Sequence, residues 1–206
     1  STIYMNIAPP IANQEIESAP DTIFIEGSVS DHPLTLDTIR RFPNTPIQRN
    51  ITYSDAVQMV QKNSSDVFGS GKRKLFLTRF KGSFLKKCPG ISPGMVCCNY
   101  YVVNLLKNCI YDCSYCFLQD FLHNNPLLVA YVNIEDLIGE LDQIFRTYPE
   151  RTFRVGTGEL TDSLALDTVI PYSQELIPFF NKQKNAVLEL KTKSNRVENL
   201  LRQNSA

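Results

Sequence analysis

Long apolar runs are missing from this chain: none approaches the roughly 18 residues that span a membrane, and the polar, proline-containing start lacks the shape of a secretory signal. The expected setting is a reducing cytoplasm with no membrane partner. Net charge is missing too, since 21 basic side chains balance 21 acidic ones, so a polyanion would have to be steered by a local field rather than by the total. Acidic residues are absent from 72 to 108, which carries Lys72, Arg73, Lys74, Arg79, Lys81, Lys86, Lys87 and Lys107. That stretch is open to two readings, a solvated face or a phosphate-contacting surface. Cysteine is absent outside Cys88 to Cys116, and six clustered cysteines in a reducing compartment are metal ligands or thiols rather than disulfides.

What is present is ordinary in bulk. With 43% hydrophobic and 20% charged residues, the 206-residue chain suits a globular protein with one core and an appendage. It begins on Ser1 and ends on Ala206 just after a helical pattern, so a fragment of a longer protein is expected.

Three cysteines stand in Cys109-Ile110-Tyr111-Asp112-Cys113-Ser114-Tyr115-Cys116, after the apolar run Tyr101 to Leu106. A four-iron, four-sulfur cube takes four thiolates as a rule, so three leave one iron open, and an open position is where metal chemistry occurs. The spacing alone leaves other readings: a zinc knuckle completed by Cys98 or His123, or three unrelated buried thiols. Cys88 and the pair Cys97–Cys98 are read as structural thiols.

The first 50 residues are proline-rich, with a strand expected at Thr22 to Ile25 and a helix from Thr35, as its cap, to Arg41. Ser54 is expected to cap a second helix carrying Ala56, Val57, Met59 and Val60, and Lys74 to Phe80 is dense in strand-formers. Farther on, Asn133 is expected to cap a helix whose apolar stripe is Ile134, Leu137, Ile138, Leu141, Ile144, Phe145 and Tyr148, ending at Pro149. Thr152 to Val155 reads as a strand running into Gly156-Thr157-Gly158-Glu159, with Asp162 or Ser163 opening the next helical stretch. Ala186 to Thr192 reads as a third strand and Asn195 as the cap of a last helix. Strands alternating with helices imply parallel pairing, and in such folds the chemistry collects at strand carboxyl ends. The cysteine loop, Gly156 to Glu159 and Lys191 to Ser194 are all expected there.

Cys109-x-x-x-Cys113-x-Tyr115-Cys116 after a strand resembles the signature of radical S-adenosylmethionine (radical SAM) enzymes. More narrowly, Cys116-Phe117-Leu118-Gln119, the stretch Gly156 to Asp167, and Leu188 to Ser194 are similar to the spore photoproduct lyase family, over about residues 85 to 203. The resemblance implies an α/β fold: a partial (β/α) radical-SAM barrel of about three βα units over 86–206, preceded by a mixed, loop-rich N-terminal extension over 1–85 with a basic segment at 72–87. It implies a 4Fe-4S cluster on Cys109, Cys113 and Cys116, with S-adenosylmethionine chelating the remaining iron. Glu159 would accept hydrogen bonds from the cofactor amino group and Lys193 would meet its carboxylate. Tyr115 would pack near the adenine, and Gly156 and Gly158 would admit close backbone approach. Reduction by a donor such as flavodoxin or ferredoxin would yield a 5′-deoxyadenosyl radical that abstracts hydrogen. The implied partner is DNA, met through Lys72, Arg73, Lys74, Arg79, Lys81, Lys86 and Lys87, and the implied activity is lyase-type repair of thymine photoproducts.

The sequence departs from that family in two places. The sporulation enzymes carry a hydrogen-donating cysteine near the end of the second strand, and no cysteine follows Cys116 here. They commonly carry tyrosine where this chain has Phe117, which has no phenolic hydrogen. RNA, a peptide or a small molecule as substrate, or a non-catalytic zinc module that binds nucleic acid, therefore remain as alternatives.

Overall fold

The computed structural model describes residues 19–90, 93–94, 96 and 99–203, and Cys97 and Cys98 lie outside the described residues. In chain order the elements are β1 (Thr22–Ile25), α1 (Pro33–Arg41), β2 (Ile47–Arg49), α2 (Tyr53–Asn63), α3 (Val67–Gly71), β3 (Lys74–Thr78), β4 (Lys86–Lys87) and β5 (Tyr100–Val102). They continue with β6 (Leu106–Lys107), α4 (Leu118–Phe121), β7 (Leu128–Tyr131), α5 (Ile134–Thr147), β8 (Phe153–Gly156), α6 (Tyr172–Asn181), β9 (Ala186–Glu189) and α7 (Glu198–Gln203). Among the described residues no helix is long and apolar enough to cross a membrane. The elements fall into two compact units that the chain visits alternately. Among the described residues, one holds residues 19–80 with Leu105–Val132; the other holds Lys81–Asn104 and residues 133–203.

The first unit is built on a sheet ordered β2-β1-β3-β7-β6, parallel except at β6. A parallel sheet covered on both faces needs strands that are apolar on both. Ile23, Phe24, Ile25, Leu75, Phe76 and Leu77 meet that need and are all buried. Phe24, Phe76 and Val129 pack with Ala56 and Val60 of α2, each phenylalanine or valine side chain contributing about 1.5–3 kcal/mol by leaving water.

The second unit is an open sheet ordered β4-β5-β8-β9, in which β5, β8 and β9 run parallel and β4 pairs antiparallel at one edge. The helices α5, α6 and α7 alternate with the parallel strands, which is the expected partial barrel with three βα units. Tyr101, Phe153, Phe145 and Phe180 form an aromatic core under α5 and α6, with neighbouring ring centroids 5.0–5.9 Å apart. Side chains alternate along a strand, so Tyr100, Arg154 and Glu189 stand on the opposite face. Glu140 of α5 ties down the approach to β4 by accepting from Ser83 Oγ, Phe84 N and Leu85 N at 2.8–2.9 Å.

Several expected element boundaries move. His32 rather than Thr35 caps α1, accepting from Leu34 N at 3.2 Å, because Pro33 is pre-set for the first helical position and Thr35 is buried inside the helix. Thr52 rather than Ser54 caps α2, accepting from Asp55 N at 3.2 Å. Asn133 stands at the head of α5 but spends its side chain on Asp136. Tyr148, assigned to the α5 stripe, is exposed once the helix ends at Thr147. The run Tyr101 to Leu106 is not one strand. Val103 N extends the pairing of β5 with β8 by donating to Gly156 O, and beyond Asn104 the backbone joins the other sheet, where Leu105 O accepts from Tyr131 N. No helix starts at Asp162 or Ser163, since both side chains are committed elsewhere, and the last helix begins at Glu198. The strands β2 and β7 are additions that the sequence reading passed over.

Candidate functional site

The cysteine loop leaves β6 and is pinned at its start by Asn108. Its φ of 70° lies in the left-handed region, which Asn tolerates better than most residues. Its buried side chain donates to Asn125 O at 3.2 Å and Pro126 O at 2.9 Å, and accepts from Cys109 N at 2.8 Å. Farther along, Cys116 N donates to Cys113 O at 2.9 Å and the Gln119 amide donates to the same carbonyl at 2.8 Å. Cys109 is buried, Cys113 and Cys116 are half-buried, and none of the three is in a disulfide. Among the described residues no three His, Cys, Asp or Glu side chains are drawn together as a metal site, so the loop presents three thiols without converging them. Tyr115 and Phe117 are exposed, and Phe117 stacks on Phe121 at 5.2 Å.

In the second unit the ends of β5, β8 and β9 carry a linked set of polar groups. Glu159 is half-buried and accepts from Asn104 Nδ2 at 2.5 Å. Asn104 is 8% exposed, and its Oδ1 is buried with no partner, as are the hydroxyls of Thr157 and Thr161. Oδ1 belongs to the same planar amide as the nitrogen that meets Glu159, so a buried acceptor without a donor lies one amide group away from the carboxylate. An orphaned buried acceptor is costly, and an ammonium group would satisfy this one.

Asp162 and Ser163 tie the β8 loop to the β9 loop. Asp162 accepts from Leu164 N at 3.0 Å, Thr192 Oγ1 at 2.7 Å and Lys193 N at 2.6 Å. Ser163 Oγ accepts from Lys191 N at 3.0 Å. Lys193 is thereby held by its backbone with its side chain exposed.

Gly156 is explained inside this unit. A Cβ there would meet Tyr100 Oη at 1.9 Å, whereas one at Gly158 would meet Ser163 Oγ at 3.0 Å. The Tyr100 ring lies between the Arg154 guanidinium at 5.1 Å and Lys191 Nζ at 4.8 Å, and both cations pair with Glu189. Burial pushes the Tyr100 phenol up. Burial pulls Lys191 down, but its hydrogen bonds to Glu189 and Tyr100 prevail and hold it above its ordinary range.

The basic stretch is not one surface. Lys72 is buried, ion-pairs with Asp112 and donates to Tyr111 O at 2.8 Å. Lys74 donates to Ser70 O and Oγ at 3.1 and 2.9 Å, and Arg73 pairs with Asp21 at 3.1 Å. Lys72 at the end of α3 and Lys74 at the start of β3 both turn inward, so neither belongs to a phosphate-contacting face. Lys81, Lys86 and Lys87 are exposed. Sequence reasoning also missed Asn104 and Asn108. The available signals were a lone polar residue in an apolar run and a residue tolerant of positive φ directly before the first cysteine.

A family model described as spore photoproduct lyase matches residues 18–206. The chain belongs to the spore photoproduct lyase family. It is 23% identical over 185 residues to the spore photoproduct lyase of Bacillus subtilis (strain 168), covering 88% of this chain and 52% of that protein. To the one from Clostridium acetobutylicum it is 22% identical over 183 residues, covering 87% and 52%. The chain thus spans about half the length of the curated family relatives it matches. A solved spore photoproduct lyase variant with bound AdoMet and dinucleoside spore photoproduct superposes with a TM-score of 0.76 at 19% identity, covering 88% of this chain and 52% of that one. A second, complexed with dinucleoside spore photoproduct, gives 0.76 at 18% with the same coverage. At that identity the likeness establishes the shared fold.

Proposed function

We propose that this chain carries the cofactor-binding half of a radical S-adenosylmethionine enzyme of the spore photoproduct lyase type, acting on thymine photoproducts in DNA. The observation that carries the reading is the family match across residues 18–206, which takes in the three-cysteine loop and the Glu159 loop together. Cys109, Cys113 and Cys116 would hold the 4Fe-4S cluster, and three available thiols are the donor set such a cube takes when one iron is left open. When bound, cluster and S-adenosylmethionine together supply one-electron chemistry that ends in hydrogen abstraction from carbon.

The chain's own residues bind and orient. Glu159 and the unpartnered Asn104 Oδ1 offer acceptors to the cofactor's ammonium. Lys193, its backbone fixed by Asp162, brings a cation for the carboxylate. Gly158 would admit close backbone approach, as would Gly156 beside the Tyr100 hydroxyl that fills its Cβ space, and exposed Tyr115 offers an aromatic face to the adenine. For DNA, the exposed Lys81, Lys86 and Lys87 are the better candidates from the basic stretch. A flavodoxin- or ferredoxin-type donor would deliver the electron.

The test is anaerobic reconstitution with iron and sulfide, followed by incubation with S-adenosylmethionine, a reductant and irradiated DNA. About four irons per chain are expected, together with 5′-deoxyadenosine and loss of the photoproduct in the full-length protein. Cys113→Ala should abolish the cluster spectrum. Zinc bound without iron or sulfide would overturn the reading.

A further inference from the structure

Lys72 closes α3, where its N–H donates to Phe68 O at 3.1 Å, and it is only 6% exposed. A buried ammonium is costly unless it is paired and hydrogen-bonded. Both partners lie on one segment: Nζ donates to Tyr111 O at 2.8 Å and ion-pairs with Asp112, while the Phe68 ring lies 5.6 Å away. Tyr111 and Asp112 are the residues between Cys109 and Cys113 that the cation can reach. A second contact reaches the same loop independently. Gly71 approaches Pro126 so closely that a Cβ would meet the proline Cβ at 2.6 Å. The Pro126 carbonyl in turn receives Asn108 Nδ2 at 2.9 Å, and Asn108 accepts from Cys109 N at 2.8 Å. The end of α3 therefore grips the loop at Asn108–Cys109 and again at Tyr111–Asp112.

We infer that Lys72 is a positioning residue for the three thiols: it fixes the backbone between Cys109 and Cys113 and sets a water-excluded positive charge on the segment that joins them. The clamp stands on geometry alone, whereas the effect of the charge rests on the iron–sulfur reading above. An iron–sulfur cluster becomes more negative on reduction, and its potential responds to nearby charge and hydrogen bonding. The Asp112 side chain is 65% exposed and that of Lys72 is 5% exposed, so water screens the carboxylate far more than the ammonium. The cation therefore favours the reduced form.

The experiment compares wild type, Lys72→Met and Asp112→Asn. In the metal-free chain, hydrogen exchange at Cys109 and Cys116, whose N–H groups donate to Asn108 Oδ1 and Cys113 O, should quicken about 10- to 100-fold in Lys72→Met, the range expected for losing a charge-assisted hydrogen bond, while β3 keeps its protection. After reconstitution, a redox titration followed by electron paramagnetic resonance should give a more negative midpoint in Lys72→Met and a smaller, positive shift in Asp112→Asn. Loosening alone would move both variants the same way. Unchanged exchange, exchange that quickens equally in β3, an unmoved potential, or shifts of one sign in both variants overturns the inference. If wild type takes up no iron and sulfide, the proposed function fails, and the exchange comparison still decides the clamp.

Discussion

Replacing Asn104 with Ala probes the strand-end acceptors through two opposed effects. Nδ2 donates to Glu159 at 2.5 Å, and a hydrogen bond to a charged group contributes roughly 1.5–3 kcal/mol. Oδ1 is buried without a partner, and such an orphan costs about 1–3 kcal/mol. In the ligand-free protein Asn104→Ala removes both at once, so the terms offset and urea-measured stability should change by about 1 kcal/mol or less. With an ammonium bound, Oδ1 is already satisfied, so its removal brings no relief and the loss appears in full. S-Adenosylmethionine should then bind the reconstituted variant about 10- to 150-fold more weakly, which is the same 1.5–3 kcal/mol read as affinity. Isothermal titration calorimetry measures it, with 5′-methylthioadenosine, which has no amino acid moiety, as the control that should bind wild type and variant alike. A large loss of stability with unchanged S-adenosylmethionine affinity, or equal weakening of both ligands, would refute the reasoning.

Gly156→Ala places a methyl 1.9 Å from Tyr100 Oη, on a ring already flanked by Arg154 and Lys191, and should cost about 1–3 kcal/mol by overpacking. Tyr100→Ala in the same chain should recover part of that cost in urea titrations; strictly additive effects would mean the ring is not what Gly156 accommodates. Glu189 gives a pH signature. Burial raises its carboxyl, but hydrogen bonds from Lys191 and Arg154 prevail and hold it below the ordinary range. A lowered folded-state value contributes stability that is present above the unfolded value, about 4.3, and lost as pH falls through the folded one. Glu189→Gln should flatten that acid limb of the stability curve, and superimposable limbs would count against the pairing.

The sequence was most informative where pattern and burial coincide. The apolar strand-formers of β1, β3 and β8 and the α5 residues Leu137, Leu141 and Phe145 fall where the pattern puts them, because they are buried along the strand or on the helix face that the pattern marks. The family was legible from the cysteine spacing together with Gly156 to Asp167, a run of residue types that periodicity alone does not account for. Long-range partners were not legible. Nothing local distinguishes Lys72, which finds Tyr111 and Asp112 about 40 residues away, from Lys86, which stays at the surface. Asp162 looks like a helix cap, and only the fold brings Thr192 and Lys193 within its reach. Tyr101 to Leu106 reads as one strand because its hydrophobicity is continuous, while the change of pairing partner at Asn104 is set by residues some 50 and 25 positions downstream.

The alternation of the chain between its two units bears on how it is made. During synthesis β1, β2 and β3 emerge in succession, yet their sheet gains β6 and β7 only once Tyr131 has left the ribosome. By then Tyr100–Val102 has already been exposed without β8, which follows about 50 residues later. Neither sheet can be completed from one contiguous stretch, and such non-local pairing is slow to form and prone to aggregation while it waits. The nascent chain therefore passes through a stage in which an apolar strand, Tyr100–Val102, has been made and its parallel partner has not, and that interval is where a chaperone would matter most.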